Sequence, residues 1–211
     1  MILQRDIGRP VILASRSPRR RQILSMMGVG FDAAESGVDD EGAYIDRSDL
    51  DRSLCRLACA KAEAAARRNP KALVLGADTV VVTGGGEVLG KAVDKDDAAR
   101  MLRTLSGARH TVITAVALKC VEAGFEESAA ARTDVFFREL EEEEIQYYLS
   151  FPEYKDKAGA YAVQGGAMTF INRIEGCYYN VMGLPVAATL NLFKLFVRKE
   201  SVDGRKDGGK H

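Results

Sequence analysis

The chain has 211 residues, enough to bury a core without disulfides or a structural metal. Its 30 basic and 30 acidic residues cancel, which argues against a surface that tracks nucleic acid. Hydrophobic residues at 46% and charged residues at 28% are those of an ordinary globular protein. No apolar run reaches a membrane-spanning length, and the one near the N-terminus is too short and broken for a signal peptide, so a cytoplasmic location and no membrane partner are expected.

Val11–Ala14 is a short apolar run that predicts a buried strand. Ser17 suits a helix N-cap and Pro18 the first helical position, with the helix running to about Met27 and stopping at Gly28. Phe31–Ala34 reads as a strand, and the polar, acidic stretch 36–48 as a loop. Leu54, Leu57, Ala58, Ala62 and Ala65 recur at helical spacing, so a long helix is predicted from about Asp49 to Arg68. Two strands, Ala72–Leu75 and Thr79–Thr83, are predicted on either side of Gly76-Ala77-Asp78. The Gly84-Gly85-Gly86 turn makes 79–89 a candidate hairpin. Helices are expected at Asp94–Leu105, Glu141–Leu149 and Pro185–Val197, and strands at His110–Leu118, Ala129–Phe137 and Met168–Ile174. The four glutamates that open the Glu141 helix suit the positive end of its dipole. The polar 198–211 stretch reads as a frayed tail behind a single 1–197 domain. Helices alternating with strands, then hairpin-like strands, predict an α/β fold with a mixed sheet.

Cys55, Cys59, Cys120 and Cys177 contain no CxxC pair, which predicts free thiols in a reducing compartment. Cys55 and Cys59 lie four apart on a helix and are expected to be small buried residues. His110 is expected to be structural, and with His211 the one other histidine a histidine-rich metal centre is excluded.

Several segments carry chemistry. At Ser15-Arg16-Ser17-Pro18-Arg19-Arg20, two hydroxyls and three arginines surround a helix start, where backbone N–H groups favour anions. Arginine forks match phosphate oxygens, so a polyphosphate cradle and a capped helix with exposed arginines are both open readings. Asp78 follows an apolar strand and could hold a divalent cation or take a proton from water. Asp39-Asp40-Glu41 reads as a solvated loop or a hard-cation site. Lys91, after the glycine turn, could neutralise phosphate. In the 156–166 segment, small residues allow close backbone approach and Gln164 can read a base edge. There is no Walker-A loop, no GxGxxG and no GxSxG.

LASRSPRR at 13–20, LGADTVV at 75–81, GEVLGK at 86–91, LSGARHTVITAVAL at 105–118, DKAGAYAVQG at 156–165 and YYNVMGLP at 178–185 together resemble the Maf family of nucleotide pyrophosphatases. They stand in the family's order and span nearly the whole chain apart from the tail. The resemblance implies an α/β fold with a mixed sheet, two lobes and a deep central cleft, related to the inosine triphosphate pyrophosphatases. It implies hydrolysis of a nucleoside triphosphate between its α and β phosphates, dependence on magnesium or manganese, and the homodimer frequent in the family; the cancelled charge adds the expectation of no stable nucleic-acid partner. Asp78 matches the catalytic aspartate, which accepts a proton. Ser15, Ser17, Arg20, Lys61 and Lys91 match phosphate-contacting or recurrent positions. A divalent ion would be held by Asp78 with help from Asp40. Arg19, Thr79 and Gln164 fit the branch that acts on dTTP and UTP, rather than the branch that acts on 7-methyl-GTP. Ala92 stands where the family usually has proline, and Asp40 where it usually has glutamate. Inosine triphosphate as substrate, a non-enzymatic role in cell division and clearance of modified nucleotides remain further readings.

Overall fold

The computed structural model describes residues 7–207. Seven strands form one mixed sheet in the order β2-β1-β3-β5-β6-β7, with β4 paired to β3. In chain order the elements are β1 (Val11–Ala14), α1 (Pro18–Met26), β2 (Asp32–Ala34), α2 (Leu50–Arg68), β3 (Leu73–Thr83) and β4 (Val88–Leu89). Then come α3 (Lys95–Leu105), β5 (Arg109–Cys120), β6 (Phe125–Phe137), α4 (Glu142–Tyr148), β7 (Ile171–Glu175), α5 (Tyr178–Val181) and α6 (Val186–Asp207). β1 pairs in parallel with β2 and β3, while β3–β4 and β6–β7 are antiparallel. The α/β class with a mixed sheet is thus as the sequence predicts.

The chain divides into two compact units. The first takes in the chain up to Asp78, then Ala115–Ala130, then the chain from Leu184 onward. Its core sets the alanine face of α2 (Ala62, Ala65, Ala66) against Ile12 and Ala14 of β1 and Val74 of β3. Small side chains on that face let the helix lie close to the strands. Phe193 and Phe196 of α6 are fully buried, and Phe196 meets Phe125 edge to face at 5.2 Å. The second unit is Thr79–Thr114 with Ala131–Gly183. Its core gathers Val81, Leu89, Leu102, Leu105, Val135 and Phe137. Each such fully buried side chain contributes about 1.5–3 kcal/mol.

Four expectations need correction. Gly76-Ala77-Asp78 does not separate two strands, because β3 runs unbroken through it. Glycine and aspartate are poor strand residues, but a helix packed tightly over Gly76 requires the missing side chain there. Residues Gly166–Phe170 form a 3-10 turn before β7 rather than the start of a strand. Ala167 and Phe170, three apart, are its buried residues, the spacing of a helix. The closing helix runs on to Asp207 instead of stopping near Val197, helped by Glu200 bound to Arg9 and by Lys199 Nζ donating to the Gly124 carbonyl. Residues 208–211 of the expected tail lie outside those described. Cys55 and Cys59 are half-buried rather than buried. Burial still pushes both thiols up, which keeps them protonated and unreactive.

Candidate active site

The first unit holds a cluster of opposed charges. Lys61 lies on the inward face of α2, 5% exposed, and Asp78 on β3 is 7% exposed. The lysine Nζ is 2.6 Å from Asp78 Oδ1 and 2.6 Å from Glu41 Oε1. One ammonium therefore joins two carboxylates, one from a strand and one from the loop before the 3-10 turn Gly42–Tyr44.

Local sequence sets this geometry. A Cβ at Gly76 would lie 2.2 Å from the Ala58 carbonyl oxygen and 2.9 Å from the Ala62 nitrogen, so only glycine lets α2 approach β3 this closely. Gly76 and Asp78 share a strand face, since side chains alternate, and Lys61 is three residues beyond Ala58 on the helix. Asp78 sits in mid-strand rather than at a strand end. Its neighbour β1 ends at Ala14, with Leu13 opposite Leu75, so Asp78 lies past the end of that strand. The polar ends of parallel strands are where α/β proteins gather ligands.

The helix start lies in the same unit. Ser17 is the N-cap of α1 and its Oγ accepts from the Arg20 N–H, with Pro18 in the first turn. Ser15 is buried; its Oγ accepts from the Ser17 N–H and from Arg20 Nη1, both at 3.2 Å. Burial pushes the Arg20 guanidinium down, and the Asp78 and Glu41 carboxylates oppose that shift. Arg20 is thus electrostatically coupled to the lysine cluster. Arg19 is half-buried in the same first turn, while Arg16 turns outward into an exposed pair with Glu35 at 2.8 Å.

Asp40 does not share this arrangement. It is exposed, and its Oδ1 accepts from the Ala43 N–H at 3.2 Å. The next residue, Glu41, is the one that meets Lys61, so the acidic loop delivers its glutamate to the site. Sequence reasoning singled out the run, and the structure brings its glutamate, not Asp40, to Lys61. A signal for Lys61 was present, because a lysine on the apolar stripe of α2 needs a partner.

The remaining site residues belong to the second unit. Thr79, the next residue after Asp78, faces the opposite side of β3 and its Oγ1 is 3.0 Å from Thr114 Oγ1. Lys91 is exposed and bridges to Ala158. Gln164 is exposed in the loop before Gly165 and Gly166. Those glycines wrap Glu153: its Oε2 accepts from the Gly166 N–H at 3.1 Å, and a Cβ on Gly165 would fall 2.2 Å from its Oε1. The 156–166 segment carries real backbone constraint, since buried Ala160 adopts φ 60° beside Gly159 at φ 68°. His110 is structural, as expected. It is 1% exposed, its Nε2 lies 2.9 Å from the Tyr161 hydroxyl, and burial pushes it down to about 4.

Fold and site together define an α/β protein in which a helix start able to receive anions stands beside a buried lysine clamped by two acids. The chain belongs to the Maf-like protein family, whose profile its residues 10–196 match. A dTTP/UTP pyrophosphatase of Pelotomaculum thermopropionicum is 45% identical over 188 residues, covering 88% of this chain and 96% of that protein. One from Symbiobacterium thermophilum is 46% identical over 187 residues, covering 88% and 93%. One from Bacillus cereus strain B4264 is 44% identical over 189 residues, covering 89% and 96%. Among solved structures, a dITP/XTP pyrophosphatase from Mycobacterium abscessus matches with a TM-score of 0.40 and 16% identity, covering 62% of this chain and 75% of that one. At that distance the likeness says nothing of this chain's chemistry.

Proposed function

We propose that this protein hydrolyses dTTP and UTP to the nucleoside monophosphate and pyrophosphate. The observation that carries the reading is the pair of 2.6 Å contacts by which Lys61 holds Asp78 and Glu41 together. The names of the relatives supply the substrate class. Asp78 accepts the proton of a water whose oxygen attacks the α-phosphorus; the bond from that phosphorus to the bridging oxygen breaks, and pyrophosphate leaves. Lys61 fixes the reacting carboxylate in place, which is a large part of what catalysis of this kind requires. Arg20, Ser15, Ser17 and the first turn of α1 receive phosphate oxygens, and charge developing on the leaving group is met by fixed cations. Lys91 adds a further positive charge. Arg19, Thr79 and Gln164 select the base.

A divalent cation, magnesium or manganese, belongs to the same reading. The donor set suits such an ion: the Asp78 and Glu41 carboxylates flank Lys61 Nζ, each 2.6 Å from it, and hard cations of this size are held by one or two carboxylates plus substrate phosphates. Among the described residues no group of three His, Cys, Asp or Glu is gathered, so substrate oxygens and water would complete the shell. Asp78 would hold it with help from the acidic loop, through Asp40 or through Glu41, the member that reaches Lys61. When bound, the ion would neutralise phosphate charge. A homodimer in the cytoplasm completes the proposal. Among the described residues no helix is long and apolar enough to cross a membrane, and sedimentation would test the dimer.

The experiment is pyrophosphate release from a panel of nucleoside triphosphates with magnesium, manganese or chelator, for the native protein and Asp78→Asn. Metal-dependent cleavage of dTTP and UTP, lost by a factor of roughly 10²–10⁴ in the variant, is expected. Preference for 7-methyl-GTP or inosine triphosphate would keep the chemistry and overturn the base assignment. Near-normal turnover by folded Asp78→Asn would overturn the catalytic one.

A further inference from the structure

We propose that Thr114 is a positioning residue that turns the Thr79 hydroxyl into a pure hydrogen-bond acceptor, so that the protein favours bases presenting a ring N–H over bases presenting a ring-nitrogen lone pair. The inference rests on the reading above that Thr79 selects the base, and it specifies how.

A threonine hydroxyl has one hydrogen and two lone pairs. Thr114 on β5 is fully buried. Its Oγ1 lies 3.0 Å from the Asn180 carbonyl oxygen and 3.0 Å from Thr79 Oγ1. A carbonyl oxygen can only accept, so the single Thr114 hydrogen is spent on Asn180. Between the two threonines, Thr79 is therefore the donor and Thr114 the acceptor.

The Asn180 carbonyl is held in turn. Asn180 is fully buried on α5, and its Nδ2 donates to the Val112 carbonyl and to Thr133 Oγ1, each at 3.0 Å. Thr133 Oγ1 also accepts from the Cys177 N–H at 3.1 Å and donates to the Cys177 carbonyl at 3.2 Å. Those side-chain bonds pin Asn180, and its backbone carbonyl, which can only accept, fixes the sense of the Thr114 bond and so of the bond from Thr79. Along this path the Thr79 hydrogen is turned inward, toward Thr114. Any other group that shares a hydrogen with the Thr79 oxygen must bring that hydrogen itself.

Uracil and thymine carry N3–H, a donor. Cytosine carries a bare N3 at the same place, an acceptor. An acceptor facing an acceptor in a partly desolvated site leaves both unpaired, which costs more than one neutral hydrogen bond contributes. Matching a donor is how a polar site rejects analogues that lack it.

The test is kcat/KM for UTP and for CTP with the native protein, Thr114→Val, Thr114→Ser, Thr79→Val and the double Thr79→Val/Thr114→Val variant. Thr114→Val removes the acceptor and frees the Thr79 hydrogen to turn outward. The UTP:CTP ratio is expected to fall roughly tenfold or more, mostly through faster CTP turnover. Thr114→Ser restores the hydroxyl and the ratio. Thr79→Val narrows the ratio as well, and the double variant narrows it no further. A folded Thr114→Val whose ratio stays within about twofold of native overturns the proposal and leaves the proposed function standing. So does a native protein that uses the two nucleotides equally. Should Thr114→Val fail to fold, Thr79→Val carries the same readout, and an unchanged ratio there overturns it. A native protein that cleaves no nucleotide removes the function itself, and this inference with it.

Discussion

Gly76 and Ala58 meet backbone to backbone, with room for a Cβ at residue 76 denied by a carbonyl oxygen that would be 2.2 Å away. That contact sets the distance between α2 and β3, and one helical turn further on it sets the distance between Lys61 and Asp78. Gly76→Ala is expected to cost about 1–3 kcal/mol, the usual range for overpacking a tight interior. Activity should fall further than stability explains, because the helix must shift and Lys61 with it. Thermal unfolding and pyrophosphate release on the same preparation check this, and a variant with native turnover would refute it.

Lys61→Met should unfold at lower denaturant concentration than the native protein, by about 3 kcal/mol. The variant leaves the buried Asp78 carboxylate without its counter-ion, and a buried charge stripped of its partner costs more than the pair contributes. Turnover should drop by roughly 10²-fold, since Asp78 loses the contact that orients it. A native denaturation midpoint would show that the ion pair contributes nothing to the fold.

The acidic loop offers a sharp contrast between neighbours. Glu41 reaches Lys61, whereas Asp40 caps a local turn through the Ala43 N–H. Glu41→Gln is expected to raise the magnesium concentration for half-maximal activity roughly tenfold, the weight of one charge-assisted contact. Asp40→Asn should move it by less than about twofold. The reverse order in a metal titration would return the metal role to Asp40.

His110 makes stability depend on pH. Burial holds it down to about 4 in the folded chain, against an ordinary value of 6.5. As pH falls from 6.5, the unfolded chain takes up the proton first, so unfolding becomes easier, and the loss is complete once pH passes below about 4. The full effect is on the order of 3 kcal/mol. His110→Leu cannot titrate, so its stability relative to native should improve by that order between pH 7 and pH 4. A gap that stays constant across the range would sink the assignment.

Part of the local structure around the candidate site was legible in the chain. The Ser17-Pro18 start of α1 follows from local rules, because N-caps and first-turn prolines depend on residues within one turn of each other. The helical stripe of α2 was also readable, and a lysine within that stripe marked an anomaly that needed a partner.

What the chain by itself determined is therefore local: where helices begin, which face is apolar, and which short motifs gather hydroxyls, arginines and acids. Tertiary structure decided the rest, for identifiable reasons. Gly76-Ala77-Asp78 reads as a break because propensity is a property of single residues, yet close packing against Ala58 makes it mid-strand. Glu41 and Asp40 are equivalent in sequence, and only the path of the loop over α2 decides which carboxylate meets Lys61. The hydrogen sense at Thr79 depends on Thr114 and Asn180, which lie 35 and 101 residues away in the chain. Partners separated so far are brought together only by packing, and no periodicity along the sequence records which hydroxyl donates.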